Sequence, residues 1–245
     1  MRKMASKTFL AVMLLIVVFF ISGCGSSNGG NVKKVAYEII DDQGAMIQLE
    51  HKPERILTLA MGTDSIVLGI LPEEKLIAIN SLADDPVSSN IVDKANGITR
   101  KIKNPSAEEI LYLKPDVVFI YNWGKAEMVD NLRELGIKVV VVKGPKSIAD
   151  VKENVKLIAK TLGEEDKGNL MIAKMDDKLA EIKEKVDNIK PERRKKLVLI
   201  SLMTSYGGKG CTFDDICKYA GVINGVSDAG LHNGQLLTKE MLVDI

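Results

Sequence analysis

Apolar and polar positions fall in alternating blocks along the chain, and residues 104–120 show the clearest grammar. Ser106 with Glu109 three positions later has the form of a capping box, in which the hydroxyl accepts the third helical N–H and the carboxylate reaches back to the cap. Ile110, Leu111 and Leu113 carry the helix to a stop at Lys114 and Pro115. Val117, Val118, Phe119 and Ile120 then form the continuous apolar run that a parallel strand covered on both faces requires. Residues 35–49 read as a β-hairpin around Asp41-Asp42-Gln43-Gly44. A strand over 55–60, a turn at Met61-Gly62-Thr63-Asp64, a helix over 65–70 and a strand over 75–79 precede the central block. A helix over 127–135 and a strand over 137–142 follow it. This alternation predicts an α/β fold with a mainly parallel sheet.

Ser147 with Asp150 gives a second capping box, and Ile148, Val151, Val155, Ile158 and Leu162 trace one apolar face to a stop at Gly163. Ile172, Met175, Leu179, Ile182, Val186 and Ile189 then recur every three or four residues, predicting one helix over 164–189, about 39 Å long at 1.5 Å per residue. Pro191 and the basic run 193–196 close it as a solvated element end. A second α/β unit opens with a buried strand over 197–202 and a Gly-rich loop over 203–210. A helix capped by Thr212 with Asp215 follows and ends near Gly221. In Gly207-Gly208-Lys209-Gly210 a glycine follows the lysine where a phosphate-binding loop needs Ser or Thr, so that reading fails.

The first 23 residues change the picture from a plain α/β protein to an exported one. Arg2, Lys3 and Lys7 precede an apolar stretch over 9–21 too short to span a bilayer comfortably, and Ile21-Ser22-Gly23-Cys24 resembles the lipobox of bacterial lipoproteins. Cleavage there would leave a diacylglycerol-bearing Cys24 as the first residue and residues 24–34 as a Gly/Ser/Asn-rich tether, holding the protein on the outer face of the cell membrane. Of 34 basic residues, 31 would remain against 33 acidic ones, a net charge of about −2 that offers nothing to nucleic acid. Cys211 and Cys217 are two ordinary thiols rather than a disulfide framework.

The end of the chain repeats its central block. Ser106, Glu108, Ile110 and Leu111 match Thr238, Glu240, Leu242 and Val243 in spacing, and Asp64-Ser65-Ile66 is echoed by Asp215-Ile216. Two lobes of one plan are implied, with the second expected to be incomplete, as in a truncated product. These residues carry a family resemblance. The lipobox, Pro53-x-Arg55-Ile56, the 104–120 block ending in Leu113-Lys114-Pro115-Asp116, the Gly163-Glu-Glu-Asp-Lys start of the long helix, and residues 207–224 together resemble the substrate-binding lipoproteins of ABC importers, in the class III group that takes iron-siderophores, haem and cobalamin. The resemblance implies an N-terminal lobe over 35–162, an interlobe helix over 163–190 and a partial C-terminal lobe over 191–245. It also implies a ligand cleft between the lobes, a monomer, and partners in a membrane permease with its ATPase. Glu108 and Glu240 match the two surface glutamates that dock onto basic residues of the permease.

Ligands of open parallel sheets bind beyond the carboxyl ends of strands. Those ends carry Met61 and Thr63 from the first strand, Tyr121 and Trp123 from the central one, and Ser205 and Tyr206 from the second lobe. The single tryptophan among so few aromatics suits a flat or aromatic metal chelate. Lys101 and Lys103 lie near this cleft in sequence order. No direct metal site is expected, because His51 and His232 stand alone, although His232 could ligate haem iron axially. An exported hydrolase and a surface interaction protein are the alternatives; the first lacks a GxSxG elbow and an HExxH motif.

Overall fold

In the computed structural model, residues 36–200 and 206–245 are described. The signal segment, Cys24, the tether and residues Thr204 and Ser205 lie outside them. Strands β1 (Tyr37–Ile40) and β2 (Met46–Leu49) form an antiparallel hairpin with Ile40 opposite Met46. Five parallel strands follow: β3 (Ile56–Thr58), β4 (Leu76–Asn80), β5 (Lys101–Ile102), β6 (Val117–Tyr121) and β7 (Val139–Val142), in the spatial order β5-β4-β3-β6-β7. The order runs outward from β3 on one side and then resumes on the other, so the sheet reverses between β3 and β6.

The helices α1 (Met61–Ile70), α2 (Val92–Ala95), α3 (Ala107–Leu113), α4 (Ala126–Glu134) and α5 (Ile148–Leu162) connect and flank these strands. Strand alternation divides the core into two layers. Ile56, Val117, Phe119 and Val140 pack with Val67 of α1, with Val155 and Ile158 of α5 and with Ile39 of the hairpin. Leu57, Val118, Val139 and Val141 face the other way, onto Ile110 of α3 and Leu132 of α4. Every residue of β6 and β7 is buried, which explains why both read as unbroken apolar runs.

The capping box on α3 is complete: Glu109 N–H donates to Ser106 Oγ (3.2 Å) and Ser106 N–H donates to Glu109 Oε2 (2.8 Å). On α5 only half of the expected box forms. Ser147 Oγ accepts Asp150 N–H, but the Asp150 carboxylate accepts from Lys146 N–H and pairs with Lys143 instead of returning to the cap. The motif residues at the entries to β3 and β6 hold one another. Asp116 Oδ2 accepts the N–H groups of Glu54 (2.8 Å) and Arg55 (2.9 Å), while the Arg55 guanidinium donates to the carbonyls of Leu113 (2.6 Å) and Lys114 (2.9 Å), satisfying the open end of α3. The hairpin is fastened in the same manner. Asp41, buried, accepts from Gln43, Ala45 and Val141 N–H and from Arg133 Nη2 at 2.6 Å.

Gly163 ends α5 in the left-handed conformation (φ 64°), and α6 (Glu165–Asp187) turns back along it. A Cβ at Gly168 would lie 2.4 Å from Ala159 Cβ, so only glycine admits this approach. Met171 and Ile172 of α6 pack on the first core, whereas Val186 near its far end lies against Gly221, beyond α7 (Thr212–Tyr219).

Two readings of the later chain are corrected. Thr212 does not cap α7: its hydroxyl donates to Pro145 O at 2.9 Å, and Asp215 accepts Ile148 N–H at 2.8 Å, so both residues bond back to the start of α5. Of the expected buried strand over 197–202, residues 197–200 are described, and they are not a buried strand. Only Lys196–Leu197 is strand (β8), Leu197 is 45% and Ile200 77% exposed, and among the described residues the sole strand partner is the two-residue β9 (Ile223–Asn224), too short to build a covered sheet. Two short helices, α8 (Gly225–Asp228) and α9 (Lys239–Asp244), complete the order.

Candidate functional site

The reversal between β3 and β6 is where a parallel sheet opens a crevice beyond its strand ends. A cleft of about 620 Å³ occupies that position. Its wall is built from the residues after β3 (Leu59, Ala60), after β4 (Ser81, Leu82), after β5 (Lys103, Asn104, Pro105) and at or after the end of β6 (Tyr121, Trp123, Lys125), with Met128 of α4 below. This volume lies in the range of small-molecule sites.

Tyr121 closes the buried β6 ladder. Its ring centroid lies 4.3 Å from that of Trp123, with the planes tilted by 38°. Trp123 remains 67% exposed. Two glycines permit this pair: a Cβ at Gly62 would lie 2.2 Å from the Tyr121 hydroxyl, and one at Gly144 would lie 2.0 Å from the Trp123 ring. Sequence reading placed both aromatics here, and Gly62 at a neighbouring strand end, but not the close approach of Gly62 and Gly144 to the rings, which arises only in the fold.

The expected turn at residues 61–64 is the first turn of α1, entered from Ala60 in extended conformation. The helical register carries Thr63 inward, fully buried, with its hydroxyl donating to Ala60 O at 2.7 Å, so it has no surface to offer a ligand. Met61 is half-buried at the helix start and is not part of the cleft wall. Asp64, read from the sequence as a turn and repeat residue, is instead a buried group. It lies wholly buried beneath the site, accepting the Thr58 hydroxyl and Asn80 N–H. Burial pushes its pKa up to about 7, against the opposing pull of those two hydrogen bonds. Burial, reinforced by the charge on Asp64, also raises the Tyr121 phenol. A lone acid inside an otherwise apolar helix was the available signal. Its counterpart in the later chain is Asp214 rather than Asp215: Asp214 is buried and accepts the Asn224 side-chain amide, where Asp64 accepts the Asn80 backbone N–H.

Tyr206 is half-buried and stands apart from this cleft; burial first, and then the Cys211 thiol, raises its pKa against a hydrogen bond with Thr212. Ser205 lies outside the described residues. Lys101 is engaged elsewhere, on Asp84 and on the Ala95 and Ile98 carbonyls, whereas Lys103 lines the cleft. His51 and His232 are exposed, and among the described residues no group of three or more His, Cys, Asp or Glu side chains gathers to hold a metal ion. Cys211 and Cys217 are free and buried.

Glu108 and Glu240 sit in matching surroundings. Each is exposed and occupies the second position of its helix, after Ser106 or Thr238, whose hydroxyl accepts the third helical N–H. Each carboxyl is held below its usual range first by its own backbone N–H and then by that capping hydroxyl.

The chain is similar to known proteins in sequence and in fold. The profile of the periplasmic binding protein family matches residues 63–243. The ABC transporter substrate-binding lipoprotein YvrC of Bacillus subtilis is 22% identical over 196 residues, covering 76% of this chain and 61% of the relative. The probable siderophore-binding lipoprotein YfiY of the same organism is 27% identical over 195 residues, 76% of this chain and 57% of the relative. This chain thus spans about three-fifths of the length of these relatives. Among solved structures, the apo form of the periplasmic haem-binding protein RhuT of Roseiflexus sp. RS-1 superposes with a TM-score of 0.66 at 23% identity, over 78% of this chain and 73% of that one.

Proposed function

The chain belongs to the periplasmic binding protein family, and from that premise we propose that it is the solute-capturing subunit of an ABC importer for a metal chelate. Its fold is the class III form, with a mainly parallel sheet and a long helix running on from it. In this reading the chelate rests at the β3/β6 reversal, and the protein, lipid-anchored through Cys24, delivers it to a permease contacted by Glu108 and Glu240. The observation that carries the reading is the largely exposed Trp123 ring, stacked on Tyr121 at the mouth of a cleft of about 620 Å³. An exposed ring backed by a second ring presents a broad apolar face at small entropic cost, as a flat chelate requires. The names of the relatives favour the same ligand class: siderophore for YfiY and haem for RhuT.

Because Trp123 is the only tryptophan, its fluorescence reports directly on the cleft. Titration with ferric siderophores, haemin and cyanocobalamin is expected to give saturable quenching by one class, lost in Trp123→Ala. Saturable binding that leaves Trp123 emission unchanged would move the site elsewhere, and no binding from the whole panel would end the importer reading.

A further inference from the structure

We infer that the cleft selects anionic, ring-bearing chelates over neutral ones of the same size, and that Lys103 and Lys125 are the residues that read the charge. This rests on the chelate-binding reading above and adds to it the sign of the ligand's charge and the groups that sense it.

The lining of the cleft contains two charged side chains, both basic, Lys103 and Lys125, and no carboxylate. Among the described residues neither ammonium has an ion-pair or hydrogen-bond partner, unlike Lys101, which is held by Asp84 and two backbone carbonyls, and Lys143, which is held by Asp150. The two free cations follow β5 and β6, three strand positions apart in the sheet. At about 4.8 Å per strand the ends of those two strands stand about 14 Å apart, with the β3 and β4 ends between them; Lys103 directly follows β5, and Lys125 lies four residues beyond β6. They therefore flank the mouth of the cleft rather than lying side by side, and a ligand seated on Trp123 would lie within reach of both.

The backbone beside Lys103 is unusual. Asn104, also in the cleft wall, adopts φ +48° immediately before Pro105, a combination that side-chain sterics disfavour. Such a conformation persists where the surrounding structure enforces it, and it turns the chain at the rim of the cleft directly after Lys103. Two uncompensated cations beside an apolar wall attract an anion, and the charge-free wall between them focuses that attraction on the cleft.

The test compares the ferric tris-catecholate complex, charge 3−, with a neutral ferric trihydroxamate, using Trp123 quenching in the full chain and in Lys103→Gln and Lys125→Gln. Both lysines are surface groups without partners, so the variants keep the fold. The expected result is tighter binding of the tris-catecholate, weakened about tenfold in each variant, as loss of a charge-assisted hydrogen bond implies. The affinity should also fall as salt rises from 0.05 to about 0.5 M, following the shorter Debye length, while trihydroxamate binding stays within about twofold throughout. Equal or tighter binding of the neutral chelate, or unchanged tris-catecholate affinity in both variants, overturns the charge selection and leaves the chelate site standing. Quenching by neither chelate brings down the chelate reading and this inference with it.

Discussion

Asp64 is a carboxyl that folding makes harder to ionise, and its replacement by asparagine should change how stability depends on pH. Its pKa rises from 3.8 to about 7 in the folded protein, chiefly through burial. Below pH 3.8 both folded and unfolded chains hold the proton, and the group contributes no difference. Between 3.8 and 7 the unfolded chain releases it while the folded chain keeps it, so stability falls as pH rises, and the loss levels off above 7. One pKa unit corresponds to about 1.4 kcal/mol, which sets the slope in that window and a limiting loss of about 4 kcal/mol. From pH 5 to pH 8 the wild-type protein should lose about 3 kcal/mol through this group. In Asp64→Asn the amide oxygen can accept Asn80 N–H and the amide nitrogen can donate to Thr58 Oγ1, so both contacts survive without a titrating proton. Urea denaturation followed by circular dichroism at half-unit pH steps measures the difference directly. With an m-value on the order of 2 kcal/mol per molar urea, the wild-type midpoint should drop about 1 M further than the variant's between pH 5 and 8. Parallel pH profiles for the two proteins would refute the burial argument, because Asp64 is the one ionisable group in which they differ.

Other expectations follow from the packing and the surface. Arg55→Ala and Asp116→Ala should each cost about 1 to 3 kcal/mol, and a double-mutant cycle by urea denaturation should show coupling of at least about 0.5 kcal/mol, since the two side chains fasten the same β3/β6 entry; strict additivity would mean that they act separately. Asp41→Ala removes four hydrogen bonds and the partner of Arg133, and a thermal melt should show a loss of about 3 to 5 kcal/mol. Gly168→Ala forces α5 and α6 apart and should cost about 1 to 3 kcal/mol, whereas Gly136→Ala, with open space around its Cβ, should feel only backbone strain. Glu108→Lys and Glu240→Lys should leave Trp123 quenching intact and abolish stimulation of the permease ATPase in proteoliposomes; lost quenching would place these residues in the ligand site.

Elements whose rules are local could be read from the chain. The hairpin, the capping box at Ser106, the two all-buried strands β6 and β7 and the start and stop of α5 follow from neighbours a few residues apart, and they stand close to where the pattern put them. Tyr121 and Trp123 were legible because strand ends are legible. Long-range choices were not. Whether Thr63 faces a ligand or the core depends on the register of α1 against β3, and whether Thr212 caps its own helix or reaches Pro145 depends on how α7 meets α5. Asp64 read as a turn residue because its burial is set by Thr58 and by Asn80, 16 positions away. The run from Leu197 to Ile200 has the composition of a core strand, but composition alone does not say which strands lie beside it.

The contact of Gly168 with Ala159 also has a mechanical side. It clamps α6 near one end, and about 28 Å of helix extends from there to Asp187 at 1.5 Å per residue. A helix this short does not bend appreciably, so it acts as a lever whose fulcrum is a single missing methyl group. A rotation of about 5° at the crossing displaces the far end by about 2.5 Å, roughly the difference between a hydrogen bond made and one broken. Motions too small to alter the first core would therefore arrive at Val186 and Gly221 as a change of contacts, and the stiffness of the glycine crossing, together with the Lys152–Asp176 pair beyond it, sets the gain.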